Sequence, residues 1–360
     1  MADQLLQYKC PCCAGKLEFN SGVQQMKCPY CDSEFSIEAM QENAAAEGEQ
    51  GQDEMSWDTP QETWTEDEAT GMKVYKCQSC GGEIVADDTA GASVCPYCDN
   101  PVVMTGQFAG DLKPEFIIPF KLDKEAAKAA FKQHFQGKKL LPKPFKDQHE
   151  IDEIKGVYVP VWLFDAKAKA VVQYKAQKIK RWSDDNYNYE KHDFYTARRA
   201  GTMAFEGVPV DGSSKMDDTM MESLEPFDLK QAVPFTPAYL SGYLADKYDV
   251  TAEESIDHAN ERIKKSVEKA FRDTVKGYEQ VETEHSAVKL ENAKAKYAMY
   301  PVWLLNIKWN GQNYPFAMNG QTGKFIGDLP ADKGTAMKYF FGIAGILTVV
   351  FSIIGMLLSK

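Results

Sequence analysis

The stretch Cys95-Pro96-Tyr97-Cys98-Asp99 repeats, residue for residue, the earlier stretch Cys28-Pro29-Tyr30-Cys31-Asp32. Each stretch is preceded by another Cys-x-x-Cys pair, and in both cases fourteen residues separate the two pairs. Two residues between cysteines allow a tight turn to aim both sulfurs at one point, and two such turns complete a tetrahedral shell of thiolates. The spacing predicts two tandem zinc ribbons, each with one structural Zn²⁺. The predicted ligands are Cys10, Cys13, Cys28 and Cys31 in the first ribbon and Cys77, Cys80, Cys95 and Cys98 in the second.

Other uses of paired cysteines fit the sequence less well. Disulfides are typical of secreted proteins, and residues 1–9 contain Asp3 and lack the apolar core of a secretory signal. A thioredoxin-like site needs one Cys-x-x-Cys in a βαβ context, not four in short hairpins. Iron stays open as an alternative to zinc, because spacing does not separate the two metals cleanly. The ninth cysteine, Cys12, is interpreted as a bystander thiol, with ligand exchange or redox sensitivity as the alternative.

Both metals are expected to be structural. A unit of about thirty residues is too small to bury an adequate core, so the metal must supply folding energy. Four thiolates leave no coordination position open for a substrate water, which argues against zinc catalysis. The five histidines are scattered without a metalloprotease or triad pattern, and no phosphate-binding glycine loop is present. We therefore predict that the protein is not an enzyme, and the sequence identifies no small-molecule substrate.

The acidic residues are concentrated in one segment. Residues 37–72 contain eleven Asp and Glu and no Lys or Arg, so that the rest of the chain carries only about −1 of the net charge of −12. Such a segment repels itself and predicts a disordered linker between the ribbons. Trp57 and Trp64 leave a second interpretation open, a short acidic and aromatic docking peptide. Neither ribbon has the surplus of Lys and Arg that a nucleic-acid surface needs, so nucleic acid is a disfavoured partner.

A membrane anchor is predicted at the carboxyl end. Residues 339–358 are twenty residues without a charge, and a helix of that length spans roughly 30 Å, the thickness of the hydrocarbon core. The alternative, a buried core helix, is less compatible with so long an apolar run at a terminus. Lys333 and Lys338 before the span, together with reduced thiolates, favour a cytoplasmic body. We expect a single-pass protein of the cell inner membrane.

Residues 106–335 contain an internal duplication, with halves at about 114–200 and 226–329. Both halves contain the sequence Pro-Val-Trp-Leu, beginning at Pro160 and Pro301, and each reads as a helix plus antiparallel strands. The two Pro-Val-Trp-Leu strands are expected to pair in the centre of a sheet, with each proline at the start of its strand. In the same comparison Pro119-Phe120 precedes the first helix as Pro234-Phe235 precedes the second.

Two stretches between the halves resemble sites but have plainer interpretations. Asp211-Gly212-Ser213 suggests a polar site, although a turn between β segments explains it without function. The aromatic run 182–195 beside Lys178 and Arg181 suggests base stacking, although a strand pair with a turn at 183–186 needs no ligand.

The predicted fold class is α+β, with two small amino-terminal zinc ribbons, a duplicated helix-plus-antiparallel-sheet domain and one carboxyl-terminal transmembrane helix. The predicted divisions are ribbon 1 at 1–36, the acidic linker at 37–72, ribbon 2 at 73–105, the duplicated domain at 106–335 and the transmembrane helix at 339–358.

Several motifs carry a resemblance to a known family. The paired cysteine units, Val208-Pro-Val-Asp-Gly-Ser-Ser-Lys215, Tyr243-Leu-Ala-Asp-Lys-Tyr-Asp-Val250, the two Pro-Val-Trp-Leu strands and Asn319-Gly-Gln-Thr-Gly-Lys324 resemble bacterial TFIIB-type zinc-ribbon-containing membrane proteins, sometimes labelled primosomal-helicase-like. The resemblance covers nearly the whole chain. It implies an adaptor at the cytoplasmic membrane face, with phage-shock-type or SPFH-type envelope proteins as partners. A helicase motor is not implied, since the chain has no Walker lysine loop.

Two functions from different classes follow. The first is a membrane-anchored adaptor or scaffold that recruits proteins to the bilayer, in the setting of envelope stress. The alternative is a membrane-tethered nucleic-acid-binding protein. A Lys- and Arg-rich face on the folded ribbons would favour the alternative.

Overall fold

A computed structural model describes the chain at residues 10, 15–37, 52–65, 70–86, 94–107, 111–146 and 151–358. The chain forms two compact units, and each unit is assembled from three separated segments. The first unit comprises Met1–Asp58, Phe164–Val208 and Ile256–Lys294, and the second comprises Thr59–Leu163, Pro209–Ser255 and Ala295–Lys360.

The described residues form four α-helices, fourteen strands and three short 3₁₀ turns. The helices are α1 (Lys124–Phe135), α2 (Asp218–Leu224), α3 (Ala252–Arg272) and α4 (Lys333–Leu358). The strands are β1 (Glu18–Asn20), β2 (Gln25–Lys27), β3 (Glu34–Phe35), β4 (Lys73–Cys77), β5 (Glu83–Ala86), β6 (Val102–Gln107), β7 (Phe116–Ile117), β8 (Lys155–Ser183), β9 (Asn188–Asp211), β10 (Val233–Pro234), β11 (Leu244–Asp246), β12 (Gln280–Trp309), β13 (Gln312–Asn319) and β14 (Phe325–Ile326). The 3₁₀ turns are Lys143–Lys146, Leu229–Gln231 and Pro237–Leu240. The mixed α+β class is therefore as predicted.

In the first unit, ribbon 1 is a three-stranded antiparallel sheet. Strand β2 pairs with β1 on one side and with β3 on the other. Its core is small, with Leu17 buried beside Cys10 and Cys28. This is the size at which a metal, not apolar burial, has to supply most of the stability.

The rest of the first unit packs α3 against long strands. Alternate residues of β8 from Ala166 to Tyr174 are buried, as period-two alternation requires when one sheet face is covered. Ile263 and Val267 of α3 are in the same core. The predicted turn at 183–186 lies within the tip of the β8–β9 hairpin, where the backbone N–H of Asp184 donates to the Tyr187 carbonyl over 3.0 Å. The aromatic run is thus a strand pair.

The expectation of a disordered linker is wrong for residues 52–65. In the first unit the Trp57 ring contacts Phe164 edge-on at 4.9 Å, and its indole N–H donates to Asn260. The acidic charge is also compensated, since Asp53 lies 2.6 Å from the Lys264 ammonium. In the second unit Trp64 is buried. Aromatic burial therefore outweighs the self-repulsion of the carboxylates over this stretch, while 38–51 and 66–69 lie outside the described residues.

The second unit contains a sheet with the strand order β10-β7-β12-β8-β11-β5-β4-β6, and β13 pairs with β12. The strands that carry Pro-Val-Trp-Leu, β8 and β12, are neighbours at its centre, as expected. Ribbon 2 is formed by β4, β5 and β6, and β5 pairs antiparallel with β11. Ribbon 2 is therefore continuous with the large sheet, unlike the isolated thirty-residue unit that the sequence suggested.

The two halves of the duplicated region exchange short strands. Strand β7 of the first half runs parallel to β12 of the second, with Ile117 opposite Met299. Strand β11 of the second half runs parallel to β8 of the first, with Ala245 opposite Tyr158. In both cases the partner lies two residues before the proline of Pro-Val-Trp-Leu. Each half therefore supplies a short strand to the other half, and both short strands pair at the same position relative to Pro-Val-Trp-Leu.

The observed pairing corrects three expectations. The duplicated domain has a mixed sheet, not the predicted antiparallel one, because the exchanged strands β7 and β11 each pair in parallel. Pro160 and Pro301 lie inside β8 and β12, not at their starts. Each parallel pairing ends before its proline, because proline has no N–H to donate to a ladder.

Ile117 and Ala245 occupy equivalent positions in the two parallel pairings. Pro119-Phe120 and Lys247-Tyr248 follow them at the same distance, so the counterpart of Pro119-Phe120 is Lys247-Tyr248, not Pro234-Phe235. The same offset relates Asp123 and Thr251, whose side chains cap the amino termini of the two helices. Thr251 and Glu254 form a capping box.

Helix α4 ends the described chain. It is long and apolar enough to cross a membrane, and its apolar side chains are exposed along the span Lys333–Met356. A buried core helix would have these side chains covered.

Candidate metal centre

The cysteine turns share one backbone conformation. In the turn that begins at Cys77, the amide of Cys77 donates to the Gly82 carbonyl and the amide of Gly81 donates back to Cys77. The same two hydrogen bonds recur in the turns that begin at Cys28 and Cys95. The residue after the second cysteine has a positive φ in all three, with Gly81 at 75°, Asp32 at 55° and Asp99 at 56°. Glycine and aspartate tolerate this left-handed conformation, which explains their place in the motif.

In ribbon 2 the four predicted cysteines converge. All four sulfurs lie within 4.8 Å of one another. The Sγ atoms of Cys77 and Cys98 are 3.5 Å apart, and those of Cys80 and Cys95 are 3.6 Å apart. A disulfide would need about 2.05 Å. Metal–sulfur bonds of about 2.3 Å in a tetrahedron place sulfurs about 3.8 Å apart. The residues therefore fit a four-thiolate metal site.

In ribbon 1 three of the four predicted ligands are described. Cys10, Cys28 and Cys31 have sulfurs within 4.8 Å of one another, and the Cys10 and Cys31 sulfurs are 3.5 Å apart. The fourth predicted ligand, Cys13, and the bystander Cys12 lie outside the described residues. Both clusters can hold a metal ion.

The surroundings of the ribbon 2 sulfurs suit thiolates. Burial acts to raise the pKa of Cys77, but backbone N–H groups of Cys80 and Ser79 outweigh it and lower that pKa to about 7. Burial raises the pKa of Cys95 far above its usual range. A bound cation would supply the missing positive charge and keep that thiol deprotonated. The Asn100 side-chain amide donates to Cys98 Sγ over 3.3 Å.

Contacts within the second unit fix ribbon 2 in place. The Lys155 ammonium lies 2.8 Å from Asp99 and donates to the Cys95 carbonyl. The Asn306 amide donates to the Pro96 carbonyl over 2.7 Å. Cys77 and Cys95 share a core with Val157 and other β8 residues. These contacts make the ribbon 2 cluster part of the core of the unit.

A buried polar cluster lies beside ribbon 2, and the sequence indicated only part of it, the Asp211-Gly212-Ser213 motif, for which a plain turn was the favoured interpretation. The Ser213 hydroxyl donates to Asp246 Oδ2 over 2.5 Å, and Asp246 is 1% exposed. The Tyr97 hydroxyl is buried and interacts with the Asp246 carboxyl without reaching the geometry of a good hydrogen bond. Asp211 Oδ2 is buried with no hydrogen-bond partner among the described residues. Burial raises the pKa of Asp246 to about 7 and that of Asp211 to about 8. The sequence signals were the Asp211-Gly212-Ser213 motif and the apolar setting of Asp246 in Leu244-Ala245-Asp246.

The Asp211-Gly212-Ser213 turn was expected between the halves, but it belongs to the first half, because it has an equivalent at Asn319-Gly320-Gln321 in the second. Gly212 donates to the Pro160 carbonyl, and Gly320 donates to the Pro301 carbonyl. The indole N–H of Trp162 donates to the Val250 carbonyl, as that of Trp303 does to Leu122. The two halves therefore hold these turns with equivalent hydrogen bonds. They differ in one respect, since the buried Asn319 side chain donates to the Leu224 carbonyl, where its counterpart Asp211 has an unpaired oxygen.

Comparison with known proteins adds one relative. The chain is 29% identical to the uncharacterized protein YdjG of Bacillus subtilis (strain 168) over 342 residues, which cover 95% of each protein. No family model matches the chain. No solved structure matches it.

Proposed function

We propose that the protein is a membrane-anchored zinc-ribbon adaptor that recruits protein partners to the bacterial inner membrane from its cytoplasmic face. The observation that carries this proposal is the combination of two cysteine clusters, one of them with four converging sulfurs, with an exposed apolar helix. Four thiolates leave no coordination position open for a substrate, so the metal, which we take as zinc, stabilises the fold and does not take part in catalysis. The apolar helix α4 holds this structure at the bilayer.

The surface of ribbon 1 supports a protein partner over a nucleic acid. Phe19, Val23 and Tyr30 are exposed by 49%, 50% and 77%. Lys27 lies 3.3 Å from Asp32 and 3.7 Å from Glu34, so its charge is compensated. Exposed aromatic side chains are enriched where proteins bind proteins, whereas nucleic acid requires uncompensated Lys and Arg. By the resemblance described above, envelope proteins of the phage-shock or SPFH type are the partners to test first.

Crosslinking from ribbon 1 in intact cells tests the proposal. A photo-crosslinking amino acid at Phe19 is expected to give discrete protein adducts in the membrane fraction. The same amino acid at the neighbouring Glu18 is the matched control, because successive side chains of a strand point to opposite faces. Adducts that a nuclease removes would favour the nucleic-acid alternative. Absence of protein adducts at both Phe19 and Tyr30 would contradict the adaptor proposal.

A further inference from the structure

A cavity in the second unit has a lysine-rich rim and an apolar floor. It is open to solvent, lies at the carboxyl end of α1 and the segment that follows, and has a volume of about 610 Å³. Phe135, Phe145 and Ile151 are buried and provide the apolar part. The lysines that line it are Lys132, Lys138, Lys139 and Lys146. A pocket of this size, mostly apolar with a few convergent polar groups, is typical of a site for a small ligand.

The positive charge of this cavity is not neutralised within the part of the chain that the structure describes. No acidic side chain there forms an ion pair with any of the four lysines. Lys128, one turn before Lys132 on α1, is the contrast, since it pairs with both Glu125 and Asp152. Lys138 contacts the His134 ring, and burial followed by the Lys138 charge lowers the pKa of His134. The described lining of the cavity is therefore positively charged, which favours an anionic ligand.

The rim of the cavity is joined to the start of the membrane helix. The backbone N–H of Asp332, the residue before α4, donates to the Leu140 carbonyl over 2.8 Å. Leu329 packs in the same core as Phe135 and Phe145. The apolar run begins at Tyr339, so at 1.5 Å per residue the Leu140 contact lies about 10 Å along the helix from the hydrocarbon core. The headgroup layer is roughly 5–8 Å thick, which places long lysine side chains beside it.

From this juxtaposition we propose that the lysine cavity binds the phosphate headgroup of an anionic phospholipid of the bilayer that α4 enters. The lysines contact the phosphate, and the apolar floor receives the glycerol and the upper part of an acyl chain. Basic side chains next to a membrane helix are suited to this ligand. The inference rests on the proposed membrane anchor and adds to it a lipid preference.

The test compares two lipids on the full chain in a nonionic detergent. Native mass spectrometry follows titration with dioctanoyl phosphatidylglycerol and with dioctanoyl phosphatidylcholine. We expect a preference of about tenfold or more for the anionic lipid, and its loss in the variant Lys138→Gln, Lys139→Gln, Lys146→Gln. The matched control, Lys121→Gln, Lys230→Gln, Lys308→Gln, removes the same charge from exposed lysines outside the cavity and is expected to keep the preference.

Three outcomes would overturn the inference. The first is equal binding of the two lipids by the unaltered chain, and the second is equal loss of preference in both variants. The third is equally tight binding of inorganic phosphate or glycerol 3-phosphate, which would identify a site for a free anion. Extraction of membranes with carbonate tests the anchor separately. Release of the unaltered chain by carbonate would contradict the proposed anchor, whereas the titration in detergent still decides whether the cavity selects a headgroup.

Discussion

The buried Asp246 predicts an unusual dependence of stability on pH. Its pKa is about 7 in the folded protein because of burial, whereas an unfolded aspartate has a pKa of about 3.9. The folded state therefore keeps a proton that the unfolded state loses, so stability falls as pH rises from about 4 through 7. At about 1.36 kcal/mol per unit, the difference costs at most about 4 kcal/mol above pH 7. Asp246→Asn removes the ionisable group at nearly constant volume and should remove this cost.

Urea unfolding of the full chain in detergent, followed by tryptophan fluorescence, measures the effect. Acid releases metal from thiolates, so the comparison is made between about pH 5.5 and pH 8.5. Over that interval the stabilisation by Asp246→Asn should grow by about 2 kcal/mol.

Asp249 is the matched control for this measurement. Although burial opposes it, hydrogen bonds from Ser214 and Lys215 lower the pKa of Asp249, so Asp249→Asn should destabilise at both pH values. If Asp246→Asn destabilised the protein equally at both pH values, Asp246 would have to be ionised and paired in the folded state, and the reasoning would fail.

Two further predictions concern the metal and the glycines. The full chain should contain two equivalents of metal by elemental analysis; Cys28→Ser should lose one while ribbon 2 keeps the other, and Cys95→Ser should lower the unfolding midpoint more, because Cys95 belongs to the core of the second unit. A single metal shared by all the cysteines would contradict this. Gly320→Ala should cost about 1–3 kcal/mol and more than Gly212→Ala in the same urea assay, because a Cβ at Gly320 would lie 2.6 Å from Phe120 and 2.9 Å from the Pro301 carbonyl, against 3.2 Å at Gly212. Equal costs would show that the close approach is relieved by movement.

Local chemistry explains why much of the arrangement could be predicted from the sequence. A Cys-x-x-Cys turn depends on the few residues within it, and the sulfurs of Cys77 and Cys98 meet as the spacing requires. The helix face with Ala127, Phe131 and Phe135 is set by the 3.6-residue period, and all three side chains are buried. The apolar run of α4 follows from composition alone.

The features that could not be predicted depend on residues far apart in the chain. The charge density of 37–72 suggested that the segment would not fold, but the Trp57 indole N–H donates to Asn260, 203 residues further along the chain. Pro160 lies inside β8 because that strand already begins at Lys155, and its first part pairs with β11 from a distant part of the chain. The polar cluster is formed by Tyr97, Ser213 and Asp246, which come from three separated segments of the chain. A single sequence contains no local pattern for such contacts.

The two halves of the duplicated region differ around the polar cluster beside ribbon 2. Gly212 and Gly320 occupy equivalent turns, but Asn319 satisfies the carbonyls of Leu224 and Pro226 while Asp211 retains an unpaired buried oxygen. The Asp211 half is also the one whose neighbouring strand, β11, pairs with ribbon 2 through Asp246 and Ile84. Burying a carboxyl without a partner costs stability unless it stays protonated. Ribbon 2 pairs with this half, so we expect folding of the unit to depend on whether its four cysteines hold a metal.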